Sequence, residues 1–171
     1  NLLAAFKKYY DNSRAGTISE YKTFIMTAPN ANALEALAGL LQKNNIQYGT
    51  LAAGTNFKGY DYAAKKDGDF VNQGFTLAVN AAQAHGVLAR VLLEPITQVN
   101  DSNTYDITTW SLPYAYGVHG YASKEKLAVT AGFAAPKVVV ASTEYGYLIP
   151  YNSFKSARVL AQLLQKNIKV R

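Results

Sequence analysis

The sequence predicts an α/β fold whose central sheet is mostly parallel. Residues 21–28 are typical of a buried strand, residues 34–41 carry leucines at helical spacing, and residues 46–51 are typical of a second strand. Short connections between strand, helix and strand favour a β-α-β unit with parallel strands. A further strand and helix follow near the C-terminus, where Leu163–Asn167 repeats Leu40–Asn44. The repeat fits either an internal duplication or the common order of strand and helix in this fold class.

An amphipathic helix opens the chain. Apolar residues between Leu2 and Tyr10 recur on one helical face, and residues 11–17 form a polar connection. A helix of this kind needs a partner surface. We therefore expect residues 1–17 to be a linker helix and connection from a preceding domain. Residues 18–171 would then form a single domain in a fragment of a longer protein.

Local signals set the boundaries of the next elements. Asn32 and Glu35 have the spacing of a capping box, and residues 43–45, Lys-Asn-Asn, are typical of a helix end. Residues 54–74 form a long polar excursion in which residues 67–69, Asp-Gly-Asp, predict the turn of a hairpin.

The second half of the chain predicts three further elements. These are a strand at residues 75–79, a helix at residues 81–93 and a strand at residues 137–141. Asp106 is placed to cap a helix that runs into the aromatic residues after it. Pro113 would lie near a helix start or break the helix.

Composition excludes several classes of protein. A hydrophobic content of 49% in 171 residues suits one packed domain. The net charge is +6, but the Lys and Arg residues are dispersed with no run of five, so no nucleic-acid partner is expected. No apolar stretch approaches the roughly 20 residues of a membrane span, so none is expected. The absence of cysteine excludes disulfides, thiolate metal sites and a cysteine nucleophile.

No catalytic motif stands out in the sequence. His85 and His119 lack the spacing of a metalloprotease pair, and neither a serine nucleophile elbow nor a phosphate-binding loop occurs. Carboxylates leave one enzymatic alternative, a hydrolase that uses Asp106 with Glu94 or Asp101. We otherwise expect this chain to hold no catalytic residue, cofactor or metal.

Residues 105–117 form an unusually aromatic segment. They include the only tryptophan of the chain, Trp110, and three tyrosines. Aromatic side chains at this density either fill a core or line a groove for a ligand or partner. The groove hypothesis makes the chain a stand-alone flavodoxin-like module that binds a small molecule or a sugar. Trp110, Tyr114 and Tyr116 would be its stacking surfaces.

The segment from Arg90 to Pro95 and the run from Thr104 to Gly117 resemble a region of bacterial zinc carboxypeptidases of the Bacteroidetes type. These are multidomain, exported relatives of carboxypeptidase A, and the region follows their catalytic domain. The similarity covers about residues 75–120 strongly and the flanks loosely. The family's His-x-x-Glu zinc motif has no counterpart here. The resemblance implies a non-catalytic accessory domain of an exported enzyme that removes C-terminal residues from peptides. Zinc would lie in the preceding peptidase domain, the expected partner in the same polypeptide.

In that family the region is similar to class I glutamine amidotransferases without their catalytic cysteine. The resemblance therefore implies a flavodoxin-like three-layer sandwich. A Gln-Pro pair before Lys-Gly is common in the family, but residues 83–86 here are Gln-Ala-His-Gly, so no role is carried over for them. The residues that carry the resemblance or would line a groove are Glu94, Tyr105, Asp106, Trp110, Pro113, Tyr114 and Tyr116.

Overall fold

The computed structural model describes residues 1–96, 111–135, 142, 145–151 and 153–171. They form two compact units, Asn1–Ala134 and Ala135–Arg171. Within the described residues, the first unit holds a seven-stranded sheet and four helices, and the second holds one helix.

The elements of the first unit follow one another in mixed order. They are α1 (Leu2–Ala15), β1 (Thr23–Ala28), α2 (Ala31–Lys43), β2 (Gly49–Thr50), β3 (Asn56–Asp61), β4 (Lys66–Val71), β5 (Phe75–Asn80), α3 (Gly86–Leu93), α4 (Leu112–Ala115), β6 (His119–Ser123) and β7 (Thr130–Ala131). In the second unit, α5 (Phe154–Gln165) confirms the helix predicted there.

The sheet has the order β4-β3-β6-β1-β5-β2-β7, and every described pair of neighbouring strands is antiparallel. The predicted mostly parallel sheet, and with it the flavodoxin-like three-layer sandwich, is therefore wrong. The two strands on either side of α2, β1 and β2, do run in the same direction. They are not neighbours, because β5 lies between them and is antiparallel to both.

Alternation along the strands divides the apolar residues between two cores. The first core combines even-numbered β1 residues such as Phe24 and Met26 with the leucines of α2 and with Leu93 of α3. The second core lies on the opposite face of the sheet, where successive strand side chains point the other way, and includes Ile25 and Phe57. Among the described residues, buried helical side chains contribute only to the first core, so helices cover one face of the sheet.

The opening helix is confirmed, but it extends through Ala15 and includes most of the predicted connection. Gly16 ends it in a left-handed conformation, with φ of 66°. Ser13 fixes its last turn, since the buried hydroxyl donates a hydrogen bond to the Gln83 carbonyl at 2.8 Å. The first half of α1 is exposed, and Leu2 retains 88% of its accessible surface.

Strand β1 and helix α2 confirm the predicted strand and helix, with one change at the cap. Asn30 is the N-cap, and its side chain accepts a hydrogen bond from the Asn32 N–H at 3.1 Å. Asn32 therefore lies inside the helix and does not cap it. The helix ends at Lys43 as predicted, and Asn45 then turns the chain with φ of 54°.

The excursion at residues 54–74 contains the hairpin of β3 and β4, but the turn is at residues 62–65 and not at residues 67–69. The Asp61 carboxylate accepts hydrogen bonds from the N–H groups of Ala63 and Ala64 at 2.8 and 3.0 Å, which stabilises the turn. Residues 67–69 consequently lie within β4.

Strand β5 confirms the predicted strand at residues 75–79, whereas α3 begins five residues later than predicted, at Gly86. The Gln83 side chain explains the late start. Its amide N–H donates to the Gln47 carbonyl at 3.0 Å, and its amide oxygen accepts from the Gln47 N–H at 2.7 Å. These bonds tie residues 81–85 to the chain before β2.

Pro113 lies in the first turn of α4, which confirms the prediction that it is near a helix start. The predicted Asp106 cap and the strand at residues 137–141 lie outside the described residues.

We predict that Gly120→Ala destabilises the protein by about 1–3 kcal/mol, because overpacking a filled core has that cost. A Cβ atom at Gly120 would lie 2.6 Å from the Tyr62 ring. Gly39→Ala is the matched control, since a Cβ atom there meets nothing within 4 Å. In a helix it should stabilise by about 0.5–1 kcal/mol. Urea unfolding measures both, and equal effects of the two changes would contradict the packing argument.

Candidate functional site

The strongest candidate site is a cleft at the end of the sheet, bordered by the face that carries the second core and by helix α4. We call it the open-face cleft; its volume is about 670 Å³, within the range of about 300–1,000 Å³ that ligand pockets occupy. It is surrounded by the hairpin of β3 and β4, the residues that follow β4, the end of β1, helix α4, residues 117–118 and the start of β6. The side chains used below are Thr27, Phe57, Gln73, Tyr114, His119 and Tyr121.

Two glycines shape the floor beside the cleft. Gly59 of β3 lies directly opposite Gly68 of β4, so neither strand places a side chain on the open face there. The Phe70 ring occupies the space instead, and a Cβ atom at Gly68 would lie 2.9 Å from it. Tyr121 packs beside it, with ring centroids 4.6 Å from Phe70 and 5.5 Å from Phe57. The three rings thus form one aromatic cluster of the second core, and Phe57 and Tyr121 of this cluster line the cleft.

Asp61 and His119 form the polar centre of the site. Asp61 ends β3 and His119 begins β6, and the two strands pair so that Asp61 Oδ1 lies 3.0 Å from His119 Nε2. The Asp61 side chain is nearly buried, whereas that of His119 is 39% exposed. Of the two, only His119 lines the cleft. The His119 ring also stacks on Tyr121 with a centroid distance of 4.6 Å.

The Asp61 carboxylate is held in its charged form. Burial favours the neutral acid and raises its pKa. Hydrogen bonds from the N–H groups of Ala64 and Ala63, together with the hydrogen bond and charge of His119, outweigh it, so the pKa of Asp61 is below its ordinary value. An ionised Asp61 accepts the Nε2 proton of His119 and selects one tautomer of the neutral ring, with Nδ1 as the acceptor.

Tyr62 connects the site to the helices. Its ring packs against Gly120, its hydroxyl donates to the Leu93 carbonyl at the end of α3, and its N–H donates to the Gly120 carbonyl at 3.1 Å. Burial, with smaller contributions from Tyr114, Tyr21 and Glu94, raises the pKa of Tyr62 well above its ordinary value, so the hydroxyl stays a donor.

Of the predicted residues that the structure describes, Tyr114 is the one that lines the cleft. Its hydroxyl donates to the Tyr62 carbonyl at 3.0 Å, and the two rings are 5.7 Å apart. The side chain retains 47% of its accessible surface. Burial is the first cause that raises the pKa of Tyr114, followed by the nearby Tyr60 and Asp61.

The other predicted residues that the structure describes make packing or capping contacts and do not line the cleft. Pro113 is buried and Tyr116 packs on the first core. Glu94 caps the end of α3 and accepts a hydrogen bond from Arg90 Nε at 2.8 Å, while Arg90 also donates to the Ile18 carbonyl at 2.8 Å. Tyr105, Asp106 and Trp110, and with them Asp101, lie outside the described residues.

Clusters of metal-ligating side chains and membrane-spanning helices are both absent from the described part of the chain. Within it, no three histidine, cysteine, aspartate or glutamate residues are grouped to hold a metal ion. Its helices also lack the combination of length and apolar composition that crossing a bilayer requires.

Comparisons of the chain with protein-family models, with curated proteins and with solved structures find no match. The resemblance to zinc carboxypeptidases, together with the peptidase partner, the zinc and the export that it implies, therefore stays a prediction.

Sequence reasoning missed Asp61, His119 and Tyr121 as a group. His119 was considered only for metal spacing along the chain, and Asp61 lies 58 residues before it. Their contact depends on the pairing of β3 with β6, which no periodicity encodes. One signal was present: Phe57, Gly59 and Asp61 alternate with other residues and so share one strand face.

We predict an acid-dependent contribution of Asp61 to stability. Its folded-state pKa is lowered, so its stabilisation is complete above the ordinary value of 3.8 and is lost as the pH falls through the folded-state pKa. Asp61→Asn should reduce the free energy of unfolding at neutral pH by about 1.5–3 kcal/mol, as expected for hydrogen bonds to a charged group.

The difference between wild type and Asp61→Asn should shrink on acidification, as measured by urea unfolding across the pH range. Asp69→Asn is the control, because that side chain is 81% exposed and 3.9 Å from Lys58, a geometry in which ion pairs contribute little. A difference for Asp61→Asn that is independent of pH would contradict the assignment.

Proposed function

We propose that this chain is a non-catalytic accessory domain of an exported zinc metallocarboxypeptidase, whose zinc and catalytic groups lie in a preceding peptidase domain. The run from Thr104 to Gly117, with its resemblance to the region after the catalytic domain in that family, is the observation that carries the proposal. The domain would dock against the peptidase and stabilise or orient it. The fold of the accessory domain is the antiparallel one described above.

The chemistry of the described residues is compatible with a non-catalytic role. The Glu94 carboxylate, one half of the alternative carboxylate hydrolase, is committed to Arg90 at 2.8 Å, and Arg90 in turn fixes the segment after α1 through Ile18. A general acid or nucleophile would need that carboxylate to face a substrate. We therefore do not propose the hydrolase.

Helix α1 offers a surface for the peptidase domain. Its last turn is anchored by Ser13, while its first half exposes an apolar stripe in which Leu2, Leu3, Phe6 and Tyr9 retain 88%, 73%, 60% and 47% of their accessible surface. Exposed apolar groups clustered on one helical face are typical of surfaces that another domain covers. Phe6 also contacts the Tyr10 ring at 4.9 Å, so the stripe is continuous with the half-buried part of the helix.

The full reading frame that encodes these residues tests the proposed family. We expect a His-x-x-Glu motif and a distant histidine upstream of Asn1, and stoichiometric zinc in the purified full-length protein. A full-length protein with neither the motif nor bound zinc would overturn the proposal.

A pair of substitutions in the full-length protein tests the docking surface. Phe6→Gln should lower the free energy of unfolding of the docked assembly by about 1.5–3 kcal/mol, the value of burying one large apolar side chain. It should also increase proteolysis between the two domains. Lys8→Gln is the matched control, because it makes a polar replacement on the same exposed helix away from the stripe. Equal effects of Phe6→Gln and Lys8→Gln would argue against docking through this face.

A further inference from the structure

The open-face cleft has the composition of a ligand site that the accessory role does not use. Its described lining includes three polar side chains of different chemistry: the Thr27 hydroxyl, the Gln73 amide and the His119 imidazole. Thr27 lies directly opposite His119 across the β1–β6 pair, and both are half-buried on the same sheet face. Gln73 is exposed in the segment after β4.

The polar groups are held in place by buried partners. The Asp61 carboxylate orients His119, so the imidazole offers Nδ1 as a fixed acceptor. Asn72 holds the Gln73 segment, because its side chain donates to the carbonyls of Leu51 and Ala52 at 3.0 Å each and accepts from the Thr76 hydroxyl. A site of this kind is preorganised, which reduces the entropy that binding must offset.

Aromatic rings form the other component of the lining. Tyr114 presents a ring that is 47% exposed and is anchored by its hydroxyl to Tyr62. Tyr121 is half-buried and held between Phe70 and His119. Because those two rings cover the faces of Tyr121, Tyr114 is the ring that offers a flat apolar face to a ligand.

Charge decides between classes of small ligand. The described lining of the cleft contains no lysine, arginine, aspartate or glutamate. A phosphate or carboxylate ligand would require a cation, and an amine would require a free carboxylate. The Asp61 carboxylate is hydrogen-bonded to His119 and does not line the cleft. Lys66 pairs with Asp61 across the hairpin on the same face of the sheet, and it does not line the cleft either. The cleft therefore favours a neutral ligand with many hydroxyl groups and apolar C–H faces.

From this combination we infer that the open-face cleft binds a saccharide of one or two sugar units. Tyr114 stacks on a C–H face of the sugar, and Thr27, Gln73 and His119 exchange hydrogen bonds with its hydroxyl groups. Asp61 acts as a positioning residue through His119. The inference is independent of the carboxypeptidase family and holds whether or not a peptidase domain precedes the chain.

Saturation-transfer NMR and calorimetry on the full-length protein test the inference with cellobiose, maltose and di-N-acetylchitobiose as probes. We expect at least one of them to bind with a Kd of about 1 mM or lower. His119→Gln and Tyr114→Leu should each weaken that binding by about tenfold or more, which corresponds to losing one well-placed contact. His85→Gln is the matched control, since it changes the other histidine, which does not line the cleft.

Thermal unfolding of each variant separates lost binding from lost structure. Asp61→Asn adds a second readout, because it leaves the His119 ring in the cleft and should weaken binding less than His119→Gln. Failure of all three saccharides to bind the wild type would overturn the inference. Saccharide binding that survives both cleft variants, or tetra-alanine binding that both cleft variants abolish, would overturn it as well.

Discussion

The close approach of Tyr62 to Gly120 is the constraint on which most of the first unit depends. A Cβ atom on residue 120 would lie only 2.6 Å from the Tyr62 ring. The Tyr62 hydroxyl donates a hydrogen bond to the Leu93 carbonyl, and the Tyr62 carbonyl accepts one from the Tyr114 hydroxyl. Through its ring, hydroxyl and backbone carbonyl, Tyr62 thereby joins the β3–β4 hairpin to β6, α3 and α4. Because Asp61 precedes it, this joint also sets the position of the polar centre of the cleft.

The local elements could be predicted from the sequence because they depend on local signals. The apolar run at β1, the leucine spacing of α2 and the strand at β5 each carry their own pattern, and the structure contains all three. The pairing of strands could not be predicted in this way. A helix between two strands suggests parallel neighbours, but β2 has only two residues, Gly49 and Thr50, and β5 pairs with β1 along six. The longer antiparallel partner occupies the position beside β1.

The candidate site also depends on strand pairing that local sequence patterns do not predict. Tyr114 was accessible to sequence reasoning because aromatic density marks its segment. Asp61 and His119 were not, because each is ordinary in its own neighbourhood and becomes informative only when β3 pairs with β6. Gly59 and Gly68 are similar, since their role lies in facing one another across the hairpin and leaving room for the Phe70 ring. Contacts between distant strands therefore hold the information that the sequence pattern lacks.

The tautomer of His119 provides the most direct test of this account, because it depends on the joint at Tyr62, on the β3–β6 pairing and on the ionised Asp61 together. Long-range ¹H–¹⁵N correlation spectra of the uncharged imidazole measure it. The account predicts a single neutral tautomer with the proton on Nε2, and loss of that preference in Asp61→Asn. A proton on Nδ1, or an even mixture of tautomers that Asp61→Asn leaves unchanged, would contradict it.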